Sequence, residues 1–245
     1  MKVELLNKDE VADLFEHYGR TASVCYDTKT NTPEKIGRHC MNSGHFSGSR
    51  SRYFEFLITD CPRFTIDQAV RHEIGVCKNV QSFRYVDKHS FMYEVPVEII
   101  DNDELLNKYN QHMISTIELY TDIQSYVLEK THSNERANEQ ARYVLPMSTH
   151  SAFVYCLDIE ALIHLMNKRL CTRTEDVFRQ LAILMKNEVL TVLPELRDKL
   201  VPQCVDLMWC PEDKSCCGIY PTKEQLKEEI KKLNIQKGNN ISCQN

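Results

Sequence analysis

Residues 71–85 read RHEIGVCKNVQSFRY. Two arginines, a histidine, a glutamate, an asparagine, a glutamine and a serine crowd between apolar flanks. Arg71 and Arg84 carry planar donor forks suited to phosphate. Ser82 can donate and accept, and Gln81 can read an amide edge. Such a run beside the apolar Phe64-Thr65-Ile66 points to a bound polar ligand; the alternative is a solvated loop between helix and strand. Gln68 shares a helix face with Arg71, three residues on, and with His72, four on, a spacing that grips one ligand from a helix end. Arg142 stands at a predicted helix C-terminus, where the dipole alone would account for a cation. Arg169 lies seven residues beyond Leu162 on the inward side of another helix. A charge that continues a buried stripe is costly unless paired or liganded.

The 245 residues suffice for one domain with a sizeable core, or one domain with a helical extension. Apolar content of 42% and charged content of 27% place the chain in the soluble globular class. No apolar run approaches a membrane span, and MKVELLNKDE lacks the apolar centre of a signal peptide. A cytoplasmic protein with no membrane partner is expected. A net charge of −5 argues against non-specific nucleic-acid binding but leaves room for a single nucleotide in a local basic pocket. None of the seven glycines forms GxGxxG or GxxxxGK[ST], so a nucleotide would be held by side chains.

Eleven cysteines is an odd count and no secretory signal accompanies it, which disfavours a disulfide framework. Cys25, Cys40, Cys61, Cys77, Cys156 and Cys171 read as small buried apolar residues. Cys204, Cys210, Cys216 and Cys217 cluster without a CxxC pair. No metal site is expected, zinc at this cluster being the minor alternative.

These groups must be positioned by mixed elements. Alternation predicts strands over 2–6, 21–26, 53–59 and 148–157, and two strand-like pieces within 85–97. Helices are expected over 11–18, stopped by Gly19, from Pro33 to about Asn42, and over 64–70 after a turn at Asp60-Cys61-Pro62. The longest helix runs from about 101 to 130 with Leu105, Tyr109, Met113, Ile117, Tyr120 and Val127 as its buried stripe. Further helices cover 134–143 and 159–169, the latter capped by Asp158 with Ala161, Leu162, Leu165 and Met166 inward. A capping box at Thr172-Arg173-Thr174-Glu175 opens another helix, with Val177, Leu181, Met185 and Val189 inward. Residues 200–220 read as irregular, 221–233 as a solvated helix and 236–245 as a disordered tail.

Three blocks carry a family resemblance. Arg71-His72-Glu73, eight residues, then Ser82-Phe83-Arg84-Tyr85 resembles the signature of the flavin-dependent thymidylate synthases, with Glu73 where the family has arginine. Ala141-Arg142-Tyr143-Val144-Leu145-Pro146 matches a second family block, and the helix 162–169 ending in Arg169 a third. The resemblance implies an α+β, ThyX-like fold, a central and mostly antiparallel sheet flanked by helices, with long helices at the subunit interface of a homotetramer. It implies a synthase domain over 1–200 and a cysteine-containing extension over 201–245.

It also implies methylation of dUMP to dTMP by an FAD-dependent methyltransferase, with 5,10-methylenetetrahydrofolate as carbon donor and NADPH as reductant. The dUMP site would comprise Gln68, Arg71, Gln81, Ser82, Arg84, Arg142 and Arg169, with Ser82 and Arg84 on the phosphate. Arg169 would be the catalytic residue. A guanidinium beside the uracil edge favours the ionised base and raises electron density at C5. FAD would rest on Ser51, Arg71, His72, Glu73, Asp158, Glu160 and His164. Glu73, Ser51, Asp158 and His164 each depart from the residue common in the family. A solvent-facing helix histidine accounts equally for His164. Two rival readings stay open: a related flavoprotein acting on another pyrimidine nucleotide, and a nucleotide-binding homologue without catalysis.

Overall fold

The computed structural model of the chain describes residues 1–25, 27, 29, 31–212 and 216–241, with the backbone alone over 234–241. In chain order the elements are β1 (Lys2–Leu5), α1 (Lys8–Ala12), α2 (Leu14–Cys25), α3 (Pro33–Asn42), β2 (Tyr53–Pro62), α4 (Arg63–Ala69) and β3 (Val76–Val80). There follow α5 (Asp103–Thr131), α6 (Asn134–Ala141), β4 (His150–Asp158), α7 (Ile159–Arg169), α8 (Asp176–Val192), α9 (Gln203–Leu207) and α10 (Lys223–Ile241). They fall into two units, 1–11 with 51–158 and 12–50 with 159–245.

The first unit is built on a four-stranded antiparallel sheet ordered β1-β2-β4-β3. Alternation works as expected in β2 and β4: Phe54, Phe56 and Ile58, with Phe153, Tyr155 and Leu157, all point to the buried face. The expected turn at Asp60-Cys61-Pro62 is instead the end of β2. A register shift between Ile58 and Cys61, with Asp60 at φ 53°, keeps the strand paired to β4 through Pro62. β3 arises inside the polar stretch 71–85, and its pairing with β4 is the long-range contact that makes it a strand. The two strand-like pieces within 85–97 do not form; only Tyr93 bridges to Thr149.

α5 is longer than the average helix by a wide margin and starts at an Asn102 cap, whose side chain accepts from the Leu105 backbone N–H. Met113 and Tyr120 are buried as expected, joined by Thr116. Tyr109, Ile117 and Val127 are only half-buried and Leu105 is 46% exposed. Ile114, Leu119, Tyr126 and Leu128 are also exposed.

In the second unit, Thr21–Cys25 continues α2 rather than forming a strand, and Gly19 lies within the helix instead of ending it; Tyr26 lies outside the described residues. Packing overrides local preference here. A Cβ on Gly19 would lie 1.7 Å from the Pro33 carbonyl oxygen, and one on Gly37 would lie 1.9 Å from that of Phe15. The two glycines let the backbones of α2 and α3 meet. α3 starts at Pro33 and ends at Asn42, as the sequence suggests, with Gly44 beyond its end at φ 73°.

α8 buries Leu181, Met185 and Val189, with Phe178 and Ala182. Its cap is the Glu175 carboxylate, which accepts from the Val177 and Phe178 backbone N–H groups at 3.0 Å each, and not a Thr172 hydroxyl. α10 runs through Ile241, across the first six residues of the expected disordered tail; 242–245 lie outside the described residues. Of the six cysteines expected to be buried, only Cys61 is; Cys25 and Cys77 are exposed. No helix among the described residues is long and apolar enough to cross a membrane.

Candidate functional site

β3 carries the polar stretch onto the sheet. The Gln81 backbone N–H continues the ladder by donating to Ala152 O at 2.9 Å, so Gln81 and Ser82 leave the sheet in a fixed register. The segment after α6 is held equally firmly. Arg63 N–H donates to Thr149 O and Phe64 N–H to Met147 O, both at 3.0 Å, which ties the start of α4 to residues 147–149. Between these strands and turns lies a cavity of about 490 Å³. Gln81, Ser82 and Arg142 line it, together with Arg63, Phe83, Tyr143, Leu145, Pro146 and Met147.

Two blocks more than fifty residues apart in sequence therefore converge on one concavity with two guanidinium groups at its wall. Arg142 is exposed, and no ion-pair partner is recorded for it among the described residues. Arg63 is shared with Asp67 at 3.3 Å and stands 5.7 Å from the Phe83 ring centroid. Donors outnumber acceptors on this wall, a balance suited to phosphate or a carbonyl-bearing ring.

Gln68, Arg71 and Arg84 do not line this cavity. Gln68 is half-buried on α4, while Arg71 and His72 lie past its end in a turn rather than on a shared helical face. Lys78 staples that turn from beneath, its Nζ donating to Val70 O at 2.6 Å and His72 O at 2.9 Å. Arg71 is left exposed. Arg84 is held by two carboxylates of α6, Glu135 at 2.6 Å and Glu139 at 3.8 Å.

Of the other expected groups in this unit, Ser51 and Glu73 are exposed. Asp158 is buried at 5% exposure, with its carboxylate against Gly75. In the second unit, Glu160 pairs with Arg50 at 2.7 Å and His164 is exposed on α7. The Arg169 guanidinium stands 4.4 Å from the Phe178 ring centroid. Its inward placement thus has an aromatic partner from α8.

Sequence reading missed Arg63, Phe83 and Tyr143 in the cavity wall, and also Lys88. The last has no local signal, since only the fold brings it to Gln81. Its Nζ donates to Gln81 Oε1 at 3.0 Å and His150 O at 3.1 Å. Burial lowers the Lys88 pKa. Among the described residues, no three His, Cys, Asp or Glu side chains are placed to hold a metal ion.

Comparisons with known proteins agree on one group. Residues 10–195 match the family model described as thymidylate synthase complementing protein. The flavin-dependent thymidylate synthase of Nitratidesulfovibrio vulgaris is 34% identical over 187 residues, 76% of each chain. That of Clostridium tetani is 29% identical over 215 residues, 80% of this chain and 86% of the relative. In structure, the chain is similar to the flavin-dependent thymidylate synthase ThyX of Helicobacter pylori complexed with FAD and dUMP. The TM-score is 0.56 at 16% identity, over 82% of this chain and all of that one.

Proposed function

The chain belongs to the flavin-dependent thymidylate synthase family, and we propose that the cavity of Gln81, Ser82 and Arg142 is where it receives dUMP. The reaction is the FAD-dependent methylation of dUMP to dTMP, with 5,10-methylenetetrahydrofolate as carbon donor and NADPH as reductant. The observation that carries the site assignment is the convergence of the two family blocks on one donor-rich cavity. Arg142 offers an uncommitted guanidinium to the nucleotide. Ser82 and Arg84 are assigned the phosphate, Arg84 by exchanging its α6 carboxylates for phosphate oxygens. Gln68 and Arg71 are assigned to the same nucleotide.

Arg169 is assigned the uracil edge by its place at the end of α7. There a fixed positive charge would stabilise the ionised base, and so the electron density at C5, without passing a proton itself.

FAD fits the residues at the turn after α4. Arg71 is exposed there, and the Lys78 staple fixes the backbone that displays it and His72. A guanidinium and an imidazole suit a pyrophosphate. The Asp158 carboxylate is packed away against Gly75, so it would not repel that pyrophosphate from the open surface. Ser51, Glu73, Glu160 and His164 complete the proposed set. When bound, FAD supplies one-carbon transfer and hydride chemistry; the chain's residues bind, orient and polarise.

The synthase domain is proposed to end near residue 200, with 201–245 as an extension, since the family match stops at residue 195. A cytoplasmic homotetramer is also proposed, supported by the exposed Ile114, Leu119 and Tyr126 on α5. The test is a complete turnover assay with FAD, NADPH, 5,10-methylenetetrahydrofolate and dUMP, reading dTMP by mass. Product that requires flavin supports the reading. Nucleotide binding without product would favour the rivals and call for a screen of other pyrimidine nucleotides.

A further inference from the structure

The side chain beside Gln81 decides what Gln81 can offer. Lys88 reaches it from a segment that is itself anchored, since the Lys88 backbone N–H donates to the Tyr120 hydroxyl at 3.1 Å and Tyr120 is fully buried on α5. The Lys88 ammonium has three hydrogens and no acceptor. One goes to Gln81 Oε1 at 3.0 Å and one to His150 O at 3.1 Å. The Phe83 ring is also close, its centroid 4.8 Å from Nζ. All three neighbours favour a cation, and two of the three hydrogens are committed within the protein.

An ammonium cannot accept a hydrogen bond, so the Gln81 amide must turn its oxygen to Lys88. Its Nε2 is then the end that remains, and among the described residues no hydrogen bond is recorded from it. The orientation follows from donor chemistry, independently of how the two ends of the amide are told apart.

We propose that Lys88 is a positioning residue for the nucleotide site: by holding Gln81 Oε1 it turns Nε2 to the remaining side, so that Gln81 presents a donor to a hydrogen-bond-accepting oxygen of the substrate. The proposal rests on the reading of the cavity as the dUMP site. A phosphate oxygen and a uracil carbonyl share that chemistry. A ring amine at the same place would face Nε2 donor to donor and leave both unsatisfied.

The test is a double-mutant cycle on the full chain, with dUMP affinity measured by titration calorimetry and folding checked by thermal melting. Lys88→Met keeps the apolar stem and removes the donor. It frees the amide to rotate and is expected to weaken dUMP binding by about 3- to 10-fold, the worth of one hydrogen bond. The same change in a Gln81→Leu background is expected to have no further effect, which loss of packing alone would not produce. Gln81→Glu keeps the shape and Lys88, but turns an acceptor to the cavity, and is expected to weaken binding more than Gln81→Leu does.

Deoxyuridine separates the sources. Equal losses for dUMP and deoxyuridine place the oxygen on the nucleoside, and a loss for dUMP alone places it on the phosphate. Wild-type affinity in Lys88→Met, or an equal loss in both backgrounds, overturns the inference while leaving the dUMP site standing. Failure of the wild-type chain to bind dUMP removes both.

Discussion

Arg84 is assigned the substrate phosphate, yet it is occupied by Glu135. Replacing Glu135 with glutamine therefore tests that assignment from the competitor's side. The pair is short, at 2.6 Å, but each side chain is 44% exposed. Exposure places it with surface pairs worth about 0.2–1 kcal/mol. Phosphate competes with the carboxylate for the Arg84 guanidinium. Removing the competitor should then tighten dUMP binding by up to the same free energy, about 1.4- to 5-fold in Kd. Loss of a negative charge near the phosphate acts in the same direction, and both effects should shrink at high ionic strength. The cost to the fold is small, because Glu135 otherwise only complements the first turn of α6. The assay is dUMP titration of both proteins at low and high salt. An unchanged or weaker affinity at low salt would refute the competition argument, and would mean that Glu135 holds Arg84 in its working position.

Arg142→Ala should leave the melting temperature nearly unchanged, since the side chain is exposed, while weakening dUMP binding by about 10- to 150-fold, the range for a hydrogen bond to a charged group. Calorimetric titration and melting of the same sample check both halves. Gly75 sits at φ 70°, and a Cβ there would come 2.4 Å from Asp158 Oδ2, so Gly75→Ala should destabilise by about 2–3 kcal/mol and lower the melting temperature by roughly 4–9 °C. Differential scanning calorimetry reads this. For Glu195, burial pushes its pKa up, but bonds from its own backbone and from Arg38 outweigh that and hold it below the usual value. A carboxylate lowered in the folded state stabilises above its unfolded pKa and loses that contribution as pH falls through the folded one. The stability gap between the wild type and Arg38→Met should accordingly narrow as pH drops below about 4, as denaturant titrations across pH would show.

Much of this was legible in the chain. β2 and β4 alternate, α8 keeps its apolar stripe, α3 opens on Pro33 and α5 starts where expected, at the Asn102 cap. The misreadings share a cause, which is that distant partners decided the outcome. Thr21–Cys25 has strand-like composition, but Gly19 and Gly37 let α2 and α3 approach so closely that helix wins. β3 is a strand only because β4 lies beside it. At the site, the family motifs led to Gln81, Ser82 and Arg142, whose convergence the sheet register then explains. Arg63 and Lys88 carry no motif and reach the same place through contacts to residues 147–150. The engagement of Arg84 by α6 could not be read either, since it depends on how α6 packs against α5, where Gln124 donates to Asn138 Oδ1.

The central claim is that the cavity of Gln81, Ser82 and Arg142 binds dUMP, and a crystal structure of the full chain with dUMP tests it most directly. The account predicts the nucleotide in that cavity, with an acceptor oxygen within hydrogen-bonding distance of Gln81 Nε2 and the Arg142 guanidinium engaged. A nucleotide bound elsewhere on the chain, with Gln81 and Arg142 facing only solvent, would contradict it.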